Sequence, residues 1–213
     1  AYPLIDLGMM RVQTFSISVQ GGSLFRLSLG AVPFLLPLMF QMAFGYSAFA
    51  SGLMMMAVFA GYVAMKPAIT FVIRRYGFRK VLIVNGVLNA VSIAVCAFFD
   101  PGLPMLLMVT LLFAGGLSRT LQFTAYNTLA YLDVPKANMN AANTLAAVSM
   151  QLSSGMGVAL GAIAWRIGLA LSHNEEMSFR IAFVVVTVVM LAALWDSFKL
   201  PGNTGAHLMR RPN

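Results

Sequence analysis

Apolar residues fall into six long runs along the chain, and polar residues concentrate in the short stretches between them. A helix that crosses the hydrocarbon core of a bilayer needs about 20 mostly apolar residues. Each run approaches or exceeds this length, and Asp100, Pro101 and Gly102 form a turn signal after the third run. The pattern therefore predicts six transmembrane helices. Their expected ranges are 14–41, 48–73, 80–99, 104–130, 139–170 and 179–199.

Segments such as that from Val184 to Leu194 are apolar on every face of a helix. Strands of a membrane barrel would instead alternate apolar and polar residues over about ten positions. A signal peptide is not expected, because its apolar core is short and follows a basic start, whereas the first run here is long. The predicted fold class is an all-α membrane protein.

The composition agrees with a chain whose main solvent is lipid. Of 213 residues, 60% are hydrophobic and 9% are charged, whereas soluble domains carry about 25% charged residues. Cys96 is the one cysteine, which excludes a disulfide scaffold, and beside it stand only His173 and His207, so no metal or haem site is expected. The spans hold no nucleophile–base pair, and the sequence holds no P-loop. We therefore expect neither an enzyme nor a cofactor.

Positive charge lies mainly in alternate loops. The net charge of +8 could indicate nucleic acid, but an excess of Lys and Arg in cytoplasmic loops explains it better, so no nucleic-acid partner is expected. With the N-terminus inside, nine of the 14 basic residues are cytoplasmic, and only Arg166 and Arg180 are on the outer side. Both termini are therefore predicted in the cytoplasm. The nine are Arg11, Arg74, Arg75, Arg79, Lys80, Lys136, Lys199, Arg210 and Arg211.

The same pattern divides the chain into three parts. Residues 1–13 are expected to form an interfacial lead-in on the cytoplasmic side, residues 14–199 the six-helix domain, and residues 200–213 a basic cytoplasmic tail. The sequence begins with Ala1 rather than methionine. We therefore expect it to be a piece of a longer protein or a processed product.

Arg26 and Arg119 are ionisable residues near the middle of predicted spans. A charge at that depth costs about 3 kcal/mol or more and by default indicates function. No acidic residue of the sequence is placed to pair with either one. The two cations therefore need a partner from a water-filled cavity, a substrate or another polypeptide segment. The alternative is that each binds backbone carbonyls at a helix break or extends to the membrane surface.

The fourth span continues with a polar stripe after Arg119. Such a stripe must face protein or water, because lipid would leave its polar groups without hydrogen bonds. We expect the stripe and the two arginines to line a pathway for substrate and protons. The residues of this pathway are Arg26, Arg119, Gln122, Tyr126 and Asn127.

Other residues in the spans have a structural explanation. Lys66 lies near the end of the second span, where its long side chain can extend to the membrane surface. Asn85 and Asn89 suit interhelical hydrogen bonds as well as substrate contacts. Gly157 and Gly161 have the GxxxG spacing that lets another helix approach closely, and we expect them to serve in helix packing.

Several stretches resemble a known family. The loop from Arg74 to Lys80, with the sequence RRYGFRK, is similar to the second copy of the major facilitator signature loop. Gly77 and Arg79 match that signature, and Arg74 stands where the signature has its aspartate. Residues 118–130, SRTLQFTAYNTLA, resemble the RSLQFTALNTLA stretch of the fourteen-helix drug:proton antiporters, the EmrB/QacA-like (DHA2) group. Further similarity to that group covers residues 25–41 and 151–161.

The resemblance implies the C-terminal six-helix half of a major facilitator fold, built from two inverted three-helix repeats. The partners it implies are an N-terminal six-helix half in the same chain, the lipid bilayer, a small-molecule substrate and protons. The expected location is the bacterial cytoplasmic (inner) membrane. The signature-like loop would latch the cytoplasmic ends of the helices through Arg74, Arg75, Gly77, Arg79 and Lys80.

The function implied by the resemblance is proton-coupled efflux of drug-like, amphipathic compounds by alternating access. Arg26 and Arg119 would hold a carboxylate of the other half, or an anionic group of the substrate. Two alternatives stay open at this point. One is a carrier of organic anions or metabolites on the same fold, and the other is a six-helix membrane scaffold that transports nothing.

Overall fold

A computed structural model describes residues 7–200 of the chain. Within that range all regular secondary structure is helical. The six predicted helices are confirmed, and each is long and apolar enough to cross a membrane. They are α1 (Gln13–Leu38), α2 (Ala48–Tyr76), α3 (Phe78–Cys96), α4 (Met105–Tyr131), α5 (Met139–Ser172) and α6 (Glu175–Phe198).

Short helical turns adjoin two of these helices. A 3-10 turn, Leu7–Arg11, precedes α1, a π-helical turn, Met39–Ala43, continues it, and a 3-10 turn, Lys136–Asn138, precedes α5. Most of the predicted basic tail, with Arg210 and Arg211, and the first six residues of the lead-in lie outside the described residues.

The helix ends follow local chemical signals. Ser47 caps α2 by accepting a hydrogen bond from the backbone N–H of Ala50 at 3.1 Å, as short polar side chains commonly do at this position. Asn174 caps α6 in the same way. Between α2 and α3 the chain turns through Gly77 at φ 77, a conformation that glycine adopts without steric cost. The reversal is therefore as short as one residue.

The packing of the helices repeats itself. Helix α1 crosses α5 extensively, and α4 crosses α2 to the same extent, while α1 packs on α6 as α4 packs on α3. Exchanging α1–α3 for α4–α6 maps one set of neighbours onto the other. Because consecutive spans run in opposite directions, α4 is antiparallel to α1. The observed packing is thus that of two inverted three-helix repeats. The symmetry is broken where α5 packs along α6, since α2 makes few contacts with α3.

Glycine permits the two main crossings. At the α1–α5 crossing, Gly157 lies against the backbone of Leu27, and Gly161 lies against Ala31 and Leu35. At the α2–α4 crossing, Gly61 faces Gly116 across an equally close contact. At Gly157, Gly61 and Gly116 a Cβ would overlap with backbone atoms of the neighbouring helix, so only glycine allows this approach. At Gly161 a Cβ would lie 3.3 Å from the Cβ of Ala31.

Candidate functional site

Arg119 is the fifteenth of the 27 residues of α4 and lies in the middle of the helix. Only 3% of its surface is exposed. Its Nε has no hydrogen-bond partner among the described residues, and no acidic side chain of residues 7–200 forms an ion pair with it. A buried guanidinium carries five N–H donors that need acceptors. Arg119 therefore presents an unsatisfied positive charge halfway along α4.

Arg119 lies at the wall of a cavity of about 550 Å³ between α1, α2 and α4. Two neighbouring turns of α2 contribute the aromatic rings of Phe59 and Tyr62, and α4 contributes Phe123. Lys66 adds a second positive charge, and no acidic residue of this part of the chain lines the cavity. A space of this size with apolar rings and a few charged groups is typical of small-molecule sites. We call it the Arg119 cavity.

Arg26 takes the equivalent place in the first repeat. It is the fourteenth of the 26 residues of α1, and its exposed fraction is 4%. One Nη of Arg26 donates to Oδ1 of Asn127 at 2.7 Å, and its Cζ lies 5.9 Å from the centre of the Phe123 ring. Its Nε has no partner within residues 7–200. Arg26 is thus partly satisfied by α4, whereas Arg119 is not.

A glycine lies one helical turn before each arginine, and Gly22 makes room for the Arg26 guanidinium. A Cβ added at Gly22 would lie 2.9 Å from an Nη of Arg26, and a Cβ added at Gly115 would lie 3.9 Å from Cζ of Arg119. Residues i and i+4 of a helix are neighbours on its surface. The two repeats therefore place an arginine and its glycine at matching positions, a correspondence that the spans show in sequence once they are aligned.

Gln122 lies in the interface of α4 with α3 and is fully buried. Its Oε1 accepts from Nδ2 of Asn85 at 2.8 Å, and its Nε2 donates to the carbonyl of Leu82 at 3.1 Å. Asn85 also donates to the carbonyl of Ser118 at 2.8 Å and accepts from the Ser118 hydroxyl at 3.0 Å. For Asn85, interhelical hydrogen bonds thus account for the polar side chain. The network joins the two repeats inside the bundle.

Tyr126 is likewise fully buried, but it faces α6 and α1. Its hydroxyl lies 3.0 Å from the hydroxyl of Ser197, and its ring packs on Phe25 with 5.8 Å between the ring centres. The Ser18 hydroxyl donates to the Tyr126 carbonyl. The structure therefore places Tyr126 in a contact between helices, away from the Arg119 cavity.

The angular spacing of an α-helix divides the polar stripe of α4 between two faces. At 100° per residue, Asn127 is separated from Gln122 by about 140° around the helix axis. Asn127 points to Arg26, while Gln122 points to α3. The cavity face of α4 also contains three residues that the sequence analysis did not select. They are Thr120, Phe123 and Thr124. Of these, only Phe123 lies close to Arg119 around the helix axis, at about 40°.

We expect Gln122→Leu to lower the unfolding temperature of the purified protein, because it removes the hydrogen bonds that Gln122 forms with the Asn85 amide and the Leu82 carbonyl. The cost of losing such buried hydrogen bonds is about 1–3 kcal/mol. Gln151→Leu is the matched control, since Gln151 is exposed and forms no side-chain hydrogen bond within residues 7–200. Equal unfolding temperatures for the two variants, measured by thermal unfolding in one detergent, would contradict this role for Gln122.

The signature-like loop lies at one end of the bundle. Gly77 is buried at the reversal, whereas Arg74, Arg75, Arg79 and Lys80 are exposed. One Nη of Arg79 donates to the carbonyl of Phe198 at 3.4 Å. The loop thereby joins the end of α2 and the start of α3 to the end of α6.

Comparison with known proteins gives a consistent result. The family model described as Major Facilitator Superfamily matches residues 21–205. "Probable transport protein HsrA" of Haemophilus influenzae is 30% identical over 212 residues, which cover 98% of this chain and 46% of that protein. "Putative multidrug resistance protein MdtD" of Pectobacterium carotovorum is 34% identical over 160 residues, 75% of this chain and 34% of that protein.

A third relative, "Putative multidrug resistance protein MdtD" of Yersinia enterocolitica, is 28% identical over 213 residues, 96% of this chain and 45% of that protein. The chain therefore spans between a third and about half the length of these curated relatives.

Proposed function

The chain belongs to the major facilitator superfamily, as its sequence predicts, and from this premise we propose that it is the C-terminal half of a proton-coupled exporter of amphipathic compounds. The observation that carries the proposal is the buried charge of Arg119, which has no acidic partner within residues 7–200 and lies at the wall of an aromatic cavity. An unpaired charge inside the membrane is costly. An unpaired arginine at this depth suits a site in which a negatively charged partner binds during the transport cycle.

The second half of the transporter would supply what this half lacks. We propose that an N-terminal six-helix unit of the same chain faces the Arg119 cavity and closes it. The chain spans at most about half the length of the relatives described above, which supports this arrangement. The resemblance of the Arg74–Lys80 loop to the second copy of the signature loop supports the C-terminal assignment.

In the proposed cycle, a carboxylate of the other half pairs with Arg119 and Arg26. Protonation of that carboxylate removes the attraction and lets the halves rearrange around a site near the bilayer midplane. Asn127 holds the Arg26 guanidinium in place at 2.7 Å. The rings of Phe59, Tyr62 and Phe123 offer an apolar surface to the substrate. Gln122 and Tyr126 keep the cavity wall rigid by tying α4 to α3 and α6.

Proteoliposomes that contain the full-length protein provide the test. With an acidic lumen, we expect a permanently charged aromatic compound to accumulate, because outward protons exchange for inward substrate in either orientation of the protein. A permanent charge prevents the compound from following the pH gradient unaided. A protonophore is expected to abolish the accumulation. Accumulation that a protonophore leaves unchanged would contradict proton coupling.

A carrier of organic anions on the same scaffold is the second candidate. One observation favours it: the Arg119 cavity carries two positive charges, from Arg119 and Lys66, and no negative one within the described residues. An aromatic sulfonate and an aromatic quaternary ammonium ion of equal size would separate the candidates in the same vesicles. Transport of the sulfonate alone, lost in Arg26→Gln, would favour the anion carrier. Transport of neither compound would favour a scaffold.

A further inference from the structure

A groove with a basic mouth runs along the outer face of α3, away from the Arg119 cavity. At its mouth lies a cavity of about 330 Å³ bordered by Tyr76, Arg79 and Lys80. A second cavity of about 230 Å³ shares Tyr76, Lys80 and Val84 with the first and continues towards Leu88. Because they share these three residues, the two cavities adjoin each other, and together they define a groove between α2, α3 and α4. We call it the α3 groove.

The mouth of the α3 groove is positively charged without compensation. Arg79 and Lys80 border the mouth and are exposed, and neither forms an ion pair within residues 7–200. Arg74 and Arg75 are exposed nearby, in the last turn of α2. Lys80 rests its Nζ 5.6 Å from the centre of the Tyr76 ring. Cations at a membrane surface attract the headgroups of anionic lipids.

Beyond its mouth the groove is apolar and open to the outside of the bundle. The exposed fractions of Val84 and Leu88 are 53% and 55%. A third cavity, of about 270 Å³, shares Leu88 and extends past Val91 to Leu111 of α4. From Lys80 to Val91 the groove follows eleven residues of helix, or about 16 Å. This length matches the hydrocarbon depth of one leaflet, which is about 15 Å.

We propose that the α3 groove binds one anionic phospholipid. The side chains of Arg79 and Lys80 hold its phosphate, and one acyl chain lies along Val84, Leu88 and Val91. A free phosphate would use the mouth alone and would leave the apolar wall exposed to lipid tails of any kind. The combination of a cationic mouth with an apolar channel one leaflet deep therefore selects a phospholipid with net negative charge. The proposal does not depend on the proposed transport activity.

The test is native mass spectrometry of delipidated full-length protein to which phosphatidylglycerol or phosphatidylcholine is added. We expect the wild type to retain phosphatidylglycerol in preference to phosphatidylcholine. In Arg79→Gln/Lys80→Gln the affinity for phosphatidylglycerol is expected to fall about thirtyfold, because two headgroup contacts are lost. The matched control is Lys136→Gln/Arg166→Gln, which removes the same charge from exposed positions on α5 and the turn before it, and it is expected to bind as the wild type does.

A second variant tests the apolar part of the groove. Leu88→Trp fills the channel and leaves every charge in place, so we expect weaker retention of phosphatidylglycerol with the basic mouth intact. Glycerol phosphate, which lacks acyl chains, is expected not to compete. If glycerol phosphate competes and Leu88→Trp retains phosphatidylglycerol as the wild type does, the groove binds a phosphate group and not a phospholipid. Equal binding of both lipids, or equal binding by the double variant and its control, would overturn the proposal.

Discussion

Arg119→Met is expected to abolish transport by the full-length protein while its unfolding temperature stays the same or rises. Methionine has a long side chain that fills most of the space of arginine without its charge. Arg119 is 3% exposed and its Nε has no hydrogen-bond partner in the described part of the chain, so the folded half gains little from the guanidinium. Replacing buried ionic groups by apolar residues of similar size is often neutral or stabilising by about 1–4 kcal/mol.

The transport cycle, by contrast, would lose the guanidinium that pairs with the substrate or with the carboxylate of the other half. Removing one member of a buried charge pair costs about 2–5 kcal/mol, so we expect the transport rate to fall at least about thirtyfold. Arg119→Lys is also expected to fail wherever two parallel hydrogen bonds are required, because an ammonium group cannot supply the planar pair of donors. Initial rates in proteoliposomes, normalised to the amount of inserted protein, give the measurement.

The matched control is Arg166→Met, which removes an exposed arginine from the far part of α5. Its transport rate is expected to equal that of the wild type. Normal transport by Arg119→Met at normal insertion would show that Arg119 takes no part in the cycle. A variant that loses both its transport and its thermal stability would identify Arg119 as a structural residue instead.

The six spans could be predicted from sequence because bilayer thickness sets their length directly. The surroundings of each face of those spans could not be predicted in the same way. Arg119, Gln122, Tyr126 and Asn127 form one polar stripe in sequence. Yet the last three form their hydrogen bonds with different helices, and Arg119 borders the cavity. Each span is apolar on almost every face, so no hydrophobic gradient around the helix indicates which side meets lipid, a neighbouring helix or the cavity.

The cavity could not be predicted from sequence either, because its walls come from helices that are far apart in the chain. Phe59 and Tyr62 of α2 meet Phe123 of α4 only because the two helices cross at glycine. In sequence these rings look like ordinary apolar residues of a membrane helix. Lys66 illustrates the same limit: its position near a span end suggested a side chain extended to the membrane surface, and the structure adds that this exposed residue borders the cavity.

Gly157→Ala is expected to cause the largest loss of stability among single-methyl substitutions in this half. Gly157 packs directly on α1, and an added Cβ would overlap with the carbonyl oxygen of Leu27 and lie 2.9 Å from its carbonyl carbon. Backbone atoms cannot move aside as a flexible side chain can, so α1 and α5 would have to separate along their crossing. Overpacking of this kind costs about 1–3 kcal/mol or more.

Gly155→Ala is the internal control for this effect, because the two glycines lie two residues apart on α5. A Cβ at Gly155 meets no atom within 4 Å in the described part of the chain, and alanine favours a helix by about 1 kcal/mol over glycine. In one detergent, the unfolding temperature of Gly157→Ala should therefore be lower than that of the wild type. The unfolding temperature of Gly155→Ala should be equal to that of the wild type or higher. Equal shifts would show that the loss of glycine itself matters, and that the α1–α5 contact does not.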